Sequence, residues 1–368
     1  MTCTQNKGIQ MRRMLQLAYG AALIGLLSSG AALAQEGPAT GDTSKKRIAL
    51  TDGFSSNSWE QSAWNAWTAV ASQAVKDGVI ADQKIITGND DPAQQITQLQ
   101  NLVLEGYNAI AIDAASPTAL NGGIKDACDA GIIVVVYDSL ATEPCAIKLN
   151  VDYYDYGVQE TNYMAKQLGG KGNILEIRGV AGSQVDIDIS AGINDTLKKY
   201  PDMKKVGTVY GNWDGTITQK QIGTVLPTLP SVDGVLDQGG DGYGAYQAFK
   251  TAGRTIPVII MGNRQDELAL WKQLQATGYK TFSISSAPGM STIAFWIAQQ
   301  ALAGKKVPNT VNVPLLAIQE DTLDAWLAAT PVGTAASPRY TKEDSVALID
   351  ATVAGKKGSE LPQPKLPQ

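Results

Sequence analysis

A unit of short apolar strand, polar loop and helix recurs along this chain about every 25 residues, and that period leaves few folds open. Strand–helix–strand units repeated in this way build a parallel sheet covered by helices on both faces. The first unit spans residues 47–67, RIALTDGFSSNSWEQSAWNAW. Ile48, Ala49 and Leu50 form its strand, and residues 51–58 form a small polar loop. The helix that follows carries Trp59, Trp64 and Trp67. Open parallel sheets bind ligands outside the carboxyl ends of their strands, which is where this loop falls. It offers Asp52, Asn57 and Ser58 as hydrogen-bonding groups and Trp59 as a flat apolar surface. Trp64 and Trp67, at helical spacing, are expected to pack the helix.

The same unit follows downstream. A strand at 84–87 leads through Gly88-Asn89-Asp90-Asp91 to Pro92, which opens a helix capped by Asp91. Ile96, Leu99, Val103 and Leu104 make that helix's apolar face. A strand at 109–112 ends in Asp113, and a helix is expected over 117–130. The β-branched run 132–136 reads as a strand buried on both faces, ending Tyr137-Asp138-Ser139. After a fifth strand at 148–151 the pattern starts again, with strands at 173–177, 206–210, 234–236, 258–261 and 281–285. Their loops include Asn212-Trp213-Asp214, Asp237-Gln238-Gly239-Gly240-Asp241 and Gly262-Asn263-Arg264. The expected fold class is therefore α/β, two doubly wound parallel-sheet lobes joined by a hinge near residues 150–152. Residues 35–46 read as a linker. From 331 onward Pro, Gly, Lys and Ser rise, with one helical stretch near 342–354, and 355–368 read as a poorly ordered tail.

Composition narrows the function classes. A chain of 368 residues suits two domains. Its net charge of −5 argues against nucleic acid and anionic membrane as partners, both of which need clustered Lys and Arg. There is no histidine, which removes Ser-His-Asp and Cys-His catalysis and His-ligated zinc. Gly239-Gly240 lacks the spacing of a dinucleotide fingerprint, and Asp90-Asp91 lacks that of a calcium loop, so neither cofactor nor metal is expected. At the amino terminus Arg12 and Arg13 precede the apolar stretch 15–27, and Ala32-Leu33-Ala34 follows. That is an export signal with cleavage expected between Ala34 and Gln35. In an exported chain the remaining pair, Cys128 and Cys145, is expected to form a disulfide.

The order of elements and several local matches resemble the periplasmic substrate-binding proteins of sugar ABC transporters, the ribose- and galactose-binding kind with the type I fold. The matches are Asn57-Ser58-Trp59, Asp138 after its strand, Gly179-Val180-Ala181-Gly182-Ser183, Asn212-Trp213-Asp214 and Gly262-Asn263, and the likeness covers roughly residues 47–326. The resemblance implies three crossings between lobes. It assigns 47–150 plus about 287–314 to the first lobe and 151–286 plus about 315–330 to the second, leaving 331–368 as an extension. Ser139 stands where the family often has arginine, and Ile187 and Ile189 stand where arginines usually clamp sugar hydroxyls.

A sugar presents hydroxyls and apolar C–H faces, so its site needs carboxylates and amides together with stacking rings. Asn57, Trp59, Asp138, Asp186, Asp188, Trp213, Gln238, Asp241, Asn263 and Asp52 supply both kinds of group. The expected protein is a periplasmic monomer that takes a monosaccharide or sugar alcohol between its lobes and presents it to an inner-membrane ABC permease, without catalysis. One alternative is the same fold holding an autoinducer-like furanose or a cyclitol. Another is a secreted carboxylate-dependent glycoside hydrolase, which would need two carboxylates facing one bond.

Overall fold

The structure is a computed structural model and describes residues 37–54 and 57–366. The export signal expected at 1–34 lies outside the described residues. In chain order the strands are β1 (Arg47–Asp52), β2 (Asp82–Thr87), β3 (Ala109–Asp113), β4 (Ile133–Val136), β5 (Ile147–Val151), β6 (Lys171–Arg178), β7 (Asp202–Tyr210), β8 (Gly234–Asp237), β9 (Val258–Ile259), β10 (Ser283–Ser285), β11 (Thr310–Val313) and β12 (Leu316–Ile318). The helices are α1 (Ser58–Lys76), α2 (Pro92–Leu104), α3 (Asn121–Asp129), α4 (Tyr153–Leu168), α5 (Gln184–Leu197), α6 (Gly215–Val225), α7 (Gly242–Thr251), α8 (Gln265–Gln275), α9 (Met290–Leu302), α10 (Leu323–Ala329) and α11 (Lys342–Val353).

The first lobe is built on a six-stranded sheet of order β11-β5-β4-β3-β1-β2, parallel throughout. All five residues of β3 are buried, as are the valines of β4, because helices cover both faces of the sheet. Helix α1 seats Ala63, Ala66, Trp67, Ala71 and Ala74 inward. Trp67 meets Phe295 of α9 edge to face, with centroids 5.4 Å apart.

The second lobe has the parallel order β7-β6-β8-β9. A parallel bridge between Met261 and Ser283 carries the sheet on to β10, which pairs antiparallel with β12. No helix of the described residues is long and apolar enough to cross a membrane.

Cys128 of α3 and Cys145 ahead of β5 form a disulfide with their Cα atoms 6.4 Å apart. Closing a loop of that length stabilises a fold by about 3 kcal/mol on the chain-entropy account.

The chain passes between the lobes after β5, after β10 and after β11. It does so a fourth time through residues 330–341, since α10 packs on α8 whereas α11 packs on α9 and β11. The stretch from 355 that composition marks as a loose tail is seated instead. Leu361 is 4% exposed, and the Lys356 carbonyl accepts from the Asn312 amide. One buried leucine and a bonded backbone carbonyl dock this polar stretch, and average composition hides that. The linker is held by polar bonds: the Thr43 hydroxyl donates to the Val79 carbonyl and accepts from Gln299.

Candidate functional site

A cavity of ≈ 470 Å³ lies between the lobes where the strands of both sheets end. That volume falls in the usual range for small-molecule sites. Each wall is made by loops that leave carboxyl ends of strands, as the topology of parallel sheets requires.

The first-lobe wall begins with Asn57 and Trp59. Asn57 caps α1, its Oδ1 accepting from the Trp59 and Glu60 amides at 2.8 and 3.0 Å. The cap fixes the first turn and so aims Trp59 and Glu60. Trp59 lines the cavity, and its Nε1 donates to the Ser286 carbonyl at 3.0 Å. Asp138 follows β4 in a left-handed conformation, φ 53°, which turns its carboxylate into the cleft. It accepts from the hydroxyls of Tyr153 and Ser286, one on each of two crossing segments. Burial pushes its pKa up to about 6 in spite of those donors.

The second-lobe wall is formed by Trp213, Gln238, Asn263 and Arg264. Asn212 and Trp213 are consecutive left-handed residues, φ 54° and 55°. Arg264 holds that turn, donating to the Trp213 carbonyl at 2.7 Å and the Gly240 carbonyl at 3.0 Å. The Trp213 indole lies flat against Gly179, where a Cβ would come within 2.1 Å of the ring, so only glycine permits this placement. Gln238 bridges two loops, accepting from the Gly179 amide and donating to the Asp186 carbonyl. Asn263 donates to the Ser286 carbonyl at 3.2 Å.

Asn57, Trp59, Asp138, Trp213, Gln238 and Asn263 thus meet at one cavity. Four carboxylates expected beside them do not line it. Asp52 turns behind the wall, where it accepts from the Trp64 indole at 2.6 Å and the Phe54 amide at 2.9 Å. Asp186 forms a two-bond ion pair with Arg178, at 2.8 and 2.7 Å. Asp188 pairs with Gln184 on its own helix. Asp241 accepts from the Thr218 hydroxyl behind the Trp213 turn, and burial raises its pKa to about 7. In each case a nearby donor, on another element or for Asp188 on its own helix, outcompetes the cleft.

Sequence reasoning passed over Glu60, Tyr153, Tyr156, Arg264, Ser285 and Ser286, all of which face the cavity. Glu60 was visible beside Trp59, yet a glutamate in the first turn of a helix reads as a dipole partner. It is 5% exposed, and its Oε2 has no partner. Asp52, Glu60 and Asp113 place carboxylate oxygens within 4.8 Å of one another, the one such group among the described residues. Burial, then the charges of Asp52, Asp113 and Asp138, push the Glu60 pKa well up. Burial, then Asp138 and Asp52, do the same to Asp113. This crowding is eased by bound protons.

Two sheeted lobes closing on a cavity at their strand ends define a solute-binding protein of the two-lobed kind. The chain belongs to the periplasmic binding protein domain family, whose model matches residues 48–306. A xylitol-binding protein of Mycolicibacterium smegmatis is 29% identical over 244 residues, 65% of this chain and 68% of that protein. A ribose import binding protein of Bacillus subtilis is 23% identical over 63% of this chain and 75% of its own length. An ABC transporter solute binding protein from Thermobispora bispora has a solved structure with a TM-score of 0.82. It is 35% identical, and the match covers 88% of this chain and 99% of that one. These relatives are binding and import proteins, so the chain belongs among binding proteins rather than enzymes.

Proposed function

We propose that this protein captures a monosaccharide or sugar alcohol between its lobes in the periplasm and delivers it to an inner-membrane ABC permease. The observation that carries the reading is the cavity itself, with Trp59 on one wall and Trp213 on the other. Paired indoles suit the C–H faces of a polyol, and the carboxylate, amide and guanidinium groups between them suit its hydroxyls. A xylitol-binding protein among the relatives supports the same class. Capture involves the lobes rotating about their crossing segments, which brings both indoles onto the ligand.

A ligand bound only by the folded state raises stability by RT ln(1 + [L]/Kd), about 2.7 kcal/mol at a hundredfold excess over Kd. A thermal-shift panel of pentoses, hexoses, furanoses, cyclitols and linear polyols is expected to give a clear rise with one narrow group. A flat response across the whole panel would sink the proposal.

A further inference from the structure

The charges around the cavity are unequal. Glu60 and Asp138 line its first-lobe wall, with Asp52 and Asp113 directly behind them. Among the described residues no lysine or arginine forms an ion pair with any of the four, whereas two other buried acids have one, Asp186 with Arg178 at 2.7 Å and Glu176 with Lys205 at 2.7 Å. Glu160, Asp237, Asp241 and Glu267 also lack one, but they lie behind the second-lobe wall and do not line the cavity. Among the described residues, the one guanidinium lining the cavity, that of Arg264, is bonded to two carbonyls of the second lobe, and its charge acts on Asp241 and Glu267 behind that wall. Glu60 adds an independent sign. It is nine-tenths buried, faces the cavity, and keeps one carboxylate oxygen without a partner.

We propose that the ligand is a polyol bearing a protonated amino group, held with its ammonium against Glu60 and Asp138 and its hydroxyls toward the second lobe. This rests on the capture of a polyol proposed above and names the class within it.

The argument is one of desolvation. In the empty protein bound protons ease the crowding of these carboxyls. Closing the lobes over a neutral sugar strips water from them and returns single hydroxyl hydrogen bonds, and a buried polar group left unpaired is costly. An ammonium can take the place of those protons, bringing three donors and a positive charge together, and charge-assisted bonds are roughly twice as strong as neutral ones.

The test is calorimetry at pH 7 on matched pairs: glucosamine against glucose and N-acetylglucosamine, 1-amino-1-deoxysorbitol against sorbitol, and an inosamine against myo-inositol. The amine is expected to bind at least about tenfold more tightly than its neutral partner in one pair or more. Glu60→Gln is expected to shrink that ratio to about threefold or less. Asp138→Asn is the second variant, should Glu60→Gln not fold, and it is expected to shrink the ratio likewise. Neutral members that bind as tightly as their amines, or a ratio unmoved by either variant, overturn the amine assignment and leave polyol capture standing. Binding by no member of any pair, or of the wider panel, overturns both.

Discussion

At the scale of single residues, the three tryptophans of the opening segment have three different jobs. Trp67 is fully buried and packs on Phe295. Trp64 is half-buried and uses its indole N–H on Asp52, so it props the wall from behind. Trp59 faces the cavity while also bonding the Ser286 carbonyl of a crossing segment. Trp59→Ala is therefore expected to abolish ligand-induced stabilisation and also to lower the ligand-free protein by about 2–4 kcal/mol, since a large buried side chain is lost. Trp64→Ala is expected to cost stability while preserving the ligand shift. Urea titration with and without ligand checks both. A normal ligand shift in Trp59→Ala would mean that its ring is wall and nothing more.

At the scale of elements, the ends of β1, β3 and β4 and the first turn of α1 bring Asp52, Asp113, Asp138 and Glu60 together. Burial raises the pKa of each, that of Asp138 to about 6. In the unfolded chain such carboxyls titrate near pH 4. Above that pH the unfolded state has released protons that the folded state still holds, so stability falls as pH rises. The fall runs from about pH 4 through 6 for Asp138 and further up for Glu60 and Asp113. The ligand-free protein is expected to melt several degrees lower at pH 8 than at pH 5, at about 1.4 kcal/mol per unit of raised pKa. Asp113→Asn is expected to flatten that dependence in paired melts.

The strands feeding this cluster were legible because parallel strands covered on both faces are continuous apolar runs: 109–112 and 132–136 could hardly be anything else. The Cys128–Cys145 pair was legible because these are the two cysteines that remain beyond the expected export signal. What could not be read was which way a strand-end carboxylate turns. Asp52 ends β1 and Asp138 follows β4, two strands of one sheet with β3 between them, yet a left-handed backbone aims Asp138 into the cleft and the Trp64 indole draws Asp52 away. Such choices depend on partners distant in sequence. Asp241 and Thr218 are 23 positions apart, and Asp138 and Ser286 are 148 apart.

At the scale of the molecule, residues 330–341 tie the lobes together beside the cavity. The Ala336 amide donates to the Asn263 carbonyl at 2.8 Å, and the Gln265 amide donates to the Thr334 carbonyl at 2.9 Å, both on the second lobe. The Ala335 amide donates to Ser62 Oγ of α1 at 2.9 Å, and the Thr292 hydroxyl of α9 reaches the Tyr340 carbonyl, both on the first. A segment bonded to both lobes limits how far they swing apart. Its seat is tight at Gly289, where a Cβ would come within 1.8 Å of the Pro338 carbonyl oxygen. Gly289 has φ −58°, so alanine suits its backbone and offends only the strap. Gly289→Ala is thus expected to lift the strap, cost about 1–3 kcal/mol as overpacking does, and let the empty protein open wider. Small-angle scattering would then show a larger radius of gyration than wild type without ligand, and the two converging at saturation. Equal radii in the empty state, with stability lowered all the same, would mean that the strap braces the fold but does not restrain the hinge.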